Sequence, residues 1–251
     1  MIPPRLRRDA PRCGGAFPLV VAAVLAAAAG CGHDADGAAG RTAASSPPHR
    51  APAVGVAPSA QDLSPALLRL LDECAAEIGA LDGFESATPI ASGPLPCEFR
   101  VRDTGLGFEV RASFRPLSRV QVDYDDPHSA TPEPDHLHPM LFPALLEAIS
   151  TVDGVGEEVE LTPELAREWG ADWAAMSLTM PDPAYATGFP DALFLGLHRN
   201  GIADVFVVFL FDAGHPEAKA WTRRALHLVR FREADDGRPI GEEAPVAEDP
   251  P

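Results

Sequence analysis

The chain has 251 residues, 20 of them Lys or Arg against 37 Asp or Glu, for a formal net charge of −17. Such a surface repels nucleic acid and anionic membrane and favours solubility. DNA and RNA are therefore excluded as expected partners.

Arg5, Arg7, Arg8 and Arg12 precede an apolar run from Phe17, and Ala28, Ala29 and Gly30 close it. A basic start, a short apolar stretch and a small-residue end are the three parts of a secretory signal. The run is well short of the roughly 20 residues a spanning helix needs, so no lasting transmembrane anchor is expected here. The segment ends Ala28-Ala29-Gly30-Cys31, which resembles the lipobox of bacterial lipoproteins, with Ala28 where that pattern prefers Leu. The resemblance covers the first 31 residues. It implies cleavage before Cys31, which then becomes the mature N-terminus and carries acyl chains; more than one chain gives stable anchoring. It also implies export and a membrane partner held through the lipid. Gly32, in place of the Asp that retains such proteins at the inner membrane, favours the periplasmic face of the outer membrane or the cell surface. The alternative is an ordinary signal peptide with a Cys near its end. Without residues 1–31 the chain keeps 16 basic and 36 acidic side chains, a net charge of −20.

Residues 31–61 are rich in Ala, Gly, Pro and Ser without apolar periodicity, the pattern of a disordered tether. Ser64-Pro65 opens a helix, with Ser as cap and Pro at the first helical position. Leu67, Leu71, Cys74, Ile78 and Leu81 form its buried face, and Gly83 stops it. Three antiparallel strands follow, with Cys97, Phe99 and Val101, then Phe108 to Phe114, then Val120, Val122 and Tyr124 alternating with polar residues. Asp125 to Pro139 is a loop dense in Asp, Pro and His. A helix lies within Phe142 to Thr151, and Thr162-Pro163 caps another through Trp169. Trp173 to Met180 is a strand. Two nearly unbroken apolar runs, ALFLGL and VFVVFLF, flank Asn200-Gly201, a hairpin in which both central residues take positive φ. Apolar residues on both faces imply central strands covered on both sides. Gly214-His215-Pro216 begins a last helix, with Ala218, Trp221, Ala225 and Leu228 buried and Lys219, Arg223, His227 and Arg230 in line opposite.

The order α-βββ-αα-βββ-α predicts an α+β fold, one domain over 62–232 with two three-stranded antiparallel meanders and about four helices. Residues 1–30 are the leader, 31–61 the tether and 233–251 an acidic, Pro-rich disordered tail. In an exported compartment Cys74 and Cys97 are expected to form a disulfide; two buried free thiols are the alternative.

Three groups of residues hold candidate chemistry. His128, Asp135, His136 and His138, in the loop DYDDPHSATPEPDHLHP, offer imidazole and carboxylate ligands for a zinc-like ion. They match no named metal motif, and a polar connection that caps a helix is the competing account. Arg100, Arg102, Arg111 and Arg119 share the outer face of the first sheet and could receive an anionic ligand. Glu98, Glu109 and Asp123 lie on that face too, so cross-strand ion pairs are the simpler account. The cations of the last helix suit the dipole at its C-terminus. GxSxG, GxGxxG and GxxxxGK are absent, and no motif implies a cofactor. The expectation is a lipid-anchored cell-envelope protein whose domain binds another envelope component without catalysis. The alternative is a metal-dependent envelope hydrolase built on the Asp/His-rich loop.

Overall fold

The computed structural model describes residues 63–233 apart from 104, 106 and 121–132. The leader, Cys31, the tether, His128 and most of the tail therefore lie outside the described residues.

The described chain is α+β, with four α-helices and two antiparallel sheets. In chain order the elements are α1 (Pro65–Glu73), β1 (Ala76–Ile78), β2 (Glu85–Ser86), β3 (Phe99–Asp103), β4 (Phe108–Pro116), α2 (His138–Ile149), β5 (Val159–Glu160), α3 (Pro163–Ala166), β6 (Trp173–Thr179), β7 (Asp191–Arg199), β8 (Ala203–Phe211), α4 (Ala218–Ala225) and β9 (Val229–Phe231). Seven strands form one sheet in the order β2-β3-β4-β8-β7-β6-β5, and β1 pairs with β9 in a second.

The register shows how both faces are used. Every residue of β8 is buried. Phe206, Val208 and Leu210 stand on one face with Phe194 and Ala192 of β7, and α2 covers them with Phe142, Leu146 and Ile149. Phe209 and Phe211 stand on the other, with Phe108 and Val110 of β4. There Phe108 meets Phe84 edge-on at 5.7 Å and Trp221 of α4 at 5.9 Å. Each such buried apolar side chain contributes about 1.5–3 kcal/mol. The uninterrupted apolar runs around Asn200-Gly201 therefore belong to strands covered on both sides.

The local signals acted as expected at two helix starts. Ser64 Oγ accepts the Leu67 N–H and Thr162 Oγ1 the Leu165 N–H, each with Pro at the start of the helix. Several expectations need correction. The first helix ends at Glu73 rather than near Leu81: Ala75 turns at φ 45°, and Ala76–Ile78 leave to pair with β9. The two meanders are not separate three-stranded units: β2-β3-β4 and β5-β6-β7-β8 join through β4 and β8 into one seven-stranded sheet. β4 takes β8 as its second neighbour, which gives the buried backbone N–H and C=O groups of β8 partners along both edges. Leu117–Arg119, before the expected third strand, form a 3₁₀ turn; residues 121–124 lie outside the described ones. At the hairpin only Gly201 has positive φ, at 67°, and Arg199 pairs with Ala203 across a three-residue loop. Arg230 is not on the last helix but on β9, where it pairs with Glu77.

Cys74 and Cys97 are free and buried, not bridged. Cys74 caps the end of α1, while Cys97 exchanges backbone hydrogen bonds with Ile90. Each thiol thus packs as a small apolar group in its own setting. Burial pushes the Cys74 thiol up to about 12 and raises that of Cys97.

Gly196 on β7 lets α2 lie close to the sheet. A Cβ there would stand 2.5 Å from Phe142 Cδ2. Gly196→Ala should therefore destabilise the fold by about 1–3 kcal/mol through overpacking. Urea unfolding followed by Trp fluorescence reads this; an unchanged midpoint would mean that α2 is not pressed on the sheet at this point.

Candidate functional site

Two buried polar groups lie on the sheet face that α2 covers, and two clefts open at the periphery.

The first group sits at the β7–β8 turn. His198 and Asp204 are register partners, and both are fully enclosed, at 0% and 1% exposure. A carboxylate can only accept, so His198 Nδ1–H donates to Asp204 Oδ1 at 2.7 Å. Asp204 Oδ2 accepts from Arg115 Nη1 at 2.6 Å. His198 Nε2 faces Asn200 Oδ1 at 3.2 Å and Asp135 Oδ1 at 3.8 Å. Asp135 Oδ1 also accepts the Gly201 N–H at 2.6 Å, and Asp172 Oδ2 accepts the Asn200 N–H at 2.9 Å. His138, the first residue of α2, stacks on His198 with ring centroids 3.9 Å apart and planes 18° from parallel. Its Nδ1–H donates to the Asp135 carbonyl at 2.7 Å, and Trp173 lies 4.8 Å from its ring.

His138, His198 and Asp204 offer ligand atoms within 4.8 Å of one another. The remaining geometry decides against a shared ion. Both imidazoles use Nδ1–H in hydrogen bonds, so only the two Nε2 atoms are available. An ion bonded to both at about 2.0–2.1 Å would have to lie near both ring planes. Nearly parallel rings stacked 3.9 Å apart have no such point nearby. Both Asp204 oxygens are already bonded, one of them to a cation. As arranged, the cluster clasps the hairpin turn to the start of α2. Of the loop residues with candidate ligand roles, Asp135 and His138 join this clasp and His136 is exposed beside it.

The second group is ionic. Glu109 Oε1 accepts from Arg111 Nε at 2.6 Å and from Arg100 Nε at 2.7 Å, and its Oε2 accepts from Arg100 Nη2 at 2.7 Å. Burial acts to raise the Glu109 carboxyl, and the two guanidinium hydrogen bonds reverse this and hold it below its ordinary value. Arg111 is only 4% exposed. It donates to the Tyr185 carbonyl at 2.7 Å and lies over the Tyr185 ring at 4.8 Å. The shared wet arginine face is thus corrected. Arg111 is roofed by Tyr185, and Arg100 neutralises Glu109. Arg102 is exposed, and Arg119 pairs with Glu73 beyond the strand at 2.7 Å. Since two of the four guanidiniums are engaged with one buried carboxylate, the cross-strand ion-pair account fits them better than an anion site.

One cleft, of about 450 Å³, lies between α1 and β4, with Leu67, Leu70 and Phe114 on its walls and Arg119, Glu73 and Glu98 at its rim. Burial raises the Glu98 carboxyl there. The other, of about 530 Å³, lies between the C-terminal half of α2 and residues 150–158.

Sequence reasoning named His138 and Asp135 but missed His198 and Asp204. The available signal was an ionisable residue at the inner end of each apolar run, His198 after ALFLGL and Asp204 before VFVVFLF, at positions that face each other once the hairpin closes. No family model, no curated protein and no solved structure matches this chain.

Two outcomes follow from the clasp. Asp204→Ala leaves Arg115 and His198 without their buried anion and should lower the unfolding free energy by about 3–5 kcal/mol. Asp204→Asn, which keeps volume and an acceptor, should recover part of the loss in the same urea titration. The second outcome concerns acid. Burial, then the neighbouring His198, lowers the His138 pKa from its ordinary value of 6.5. The unfolded chain therefore binds this proton first, so stability is full above pH 6.5 and declines as pH falls below it. His138→Gln should flatten that decline in part, because His227, lowered by burial on the opposite face, keeps its own share. An unchanged pH slope in His138→Gln would refute the assignment.

Proposed function

We propose that the protein is a lipid-anchored component of a bacterial cell envelope whose folded domain binds another envelope molecule without catalysis. The observation that carries the reading is the basic, apolar, small-residue leader ending in Ala28-Ala29-Gly30-Cys31, followed by a Pro- and Ala-rich tether. Among the described residues no helix is long and apolar enough to cross a membrane.

The chemistry of the domain supports binding over turnover. His198 and Asp204 resemble a catalytic pair in their 2.7 Å contact, but both are enclosed and His198 Nε2 faces a carboxamide and not a nucleophile. Cys74 and Cys97, buried with raised pKa values, lack the thiolate character of reactive cysteines. The described residues present to solvent clefts with apolar walls and charged rims, among them the one beside α1 and the one beside α2.

Expression in a bacterial host with radiolabelled palmitate tests the anchor. The wild-type chain should incorporate label and fractionate with membranes, and Cys31→Ala should lose both. Equal labelling of the two, or an unmodified mature N-terminus by mass spectrometry, would overturn the reading.

A further inference from the structure

We propose that the cleft between α2 and residues 150–158 is a docking site for a basic, amphipathic peptide segment of a partner protein. This deepens the binding role proposed above and rests on it.

Two independent features point to such an occupant. The first is apolar. Pro143, Leu146, Val152 and Val155 line the cleft. Val152 is 96% exposed and Val155 45%, and both sit on a connecting segment. Exposed apolar side chains gathered at a concavity are the usual mark of an interaction site.

The second is charge. From Pro139 to Ala166 the chain contains no Lys or Arg, but six acidic residues. Five of these, Glu147, Asp153, Glu157, Glu158 and Glu160, are exposed and have no ion pair among the described residues. Glu147 and Glu158 stand in the lining itself. Burial and the nearby Glu160 raise the Glu158 carboxyl, so a neighbouring cation would favour its ionised form. Elsewhere Glu73, Glu77 and Asp72 each have an arginine partner, while Asp82, Glu85, Asp212 and Glu217 are unpaired among the described residues; what sets this stretch apart is that its unpaired carboxylates gather beside an apolar cleft with no Lys or Arg in the same segment.

The same features discriminate among occupants. Among the described residues the one group of three clustered metal-ligating side chains is His138, His198 and Asp204, so these carboxylates do not converge on an ion. Anionic lipid would be repelled by the rim. A second copy of the chain, at net charge −20 without its leader, would bring mostly like charge. A segment that alternates Lys or Arg with aliphatic residues supplies cations that complement the acidic rim and apolar anchors that match the walls.

The test uses the purified full-length protein and a fluorescein-labelled dodecamer of alternating Lys and Leu, read by fluorescence anisotropy. Glu-Leu and Lys-Ser dodecamers are the controls. The Lys-Leu peptide should bind, with both controls at least tenfold weaker. Glu147→Gln/Glu158→Gln and Val152→Ser/Val155→Ser should each weaken it about tenfold. Glu77→Gln/Glu85→Gln, which removes the same charge elsewhere, should leave it unchanged. An equal loss in the charge-matched control would show diffuse attraction to an acidic protein and overturn the docking site. Full affinity in either cleft variant would do the same. The cleft substitutions are at exposed positions, and circular dichroism verifies their folding. Failure of the peptide to bind while Cys31-dependent palmitate labelling persists removes this occupant alone; loss of labelling with peptide binding intact removes the anchor alone.

Discussion

The structure depends on one constraint: β8 and β7 are apolar on both faces and must be shielded on both. An antiparallel sheet commonly leaves one side in water. Here β8 has no exposed residue, so the rest of the described chain is arranged around covering it. α2 lies over Phe194, Phe206 and Val208 on one side. Phe84 and Trp221 of α4 close over Phe108 and its neighbours on the other. β4 and β6 protect the edges of the pair, and the sheet ends in two strands of only two residues each, β2 and β5. Short edge strands limit edge-to-edge aggregation.

The polar groups buried in this sheet are consistent with that plan. Glu109, Arg111, His198 and Asp204, with the half-buried Arg115, all fall on the face that α2 covers. Each is matched: Glu109 by two guanidiniums, Asp204 by Arg115 and His198. Such pairs give little net stability against an apolar core of equal volume, but losing one partner is costly. A one-residue slip of β8 would separate His198 from Asp204 and turn Asp204 to the opposite face. The pair therefore discriminates one register from the alternatives, at the hairpin around which the sheet is organised.

The groups left to meet a partner lie at the rim. The enclosed clusters pair their charged groups internally, although the buried Tyr185 hydroxyl has no hydrogen-bond partner among the described residues. The two clefts differ: each pairs apolar walls with charge facing solvent, and the one beside α2 combines exposed Val152 and Val155 with carboxylates that lack arginine partners among the described residues.

The sequence by itself determined the elements whose cause is local. Ser64 and Thr162 cap helices because their side chains meet N–H groups three residues on. The runs ALFLGL and VFVVFLF announced doubly covered strands, since only burial on both sides removes the need for alternation. Asn200-Gly201 marked the turn between them, although only Gly201 took the positive φ. What tertiary structure decided was everything set by pairing at a distance. β4 chose β8 over a local neighbour, and Ala76–Ile78 left a helical pattern for β9. Arg111 went from an apparently wet face to a buried one because Tyr185, 74 residues away, closes over it. The imidazole stack joined His138 to His198 for the same reason. Periodicity reports which side of an element is apolar; it carries no information on which other element will lie against that side.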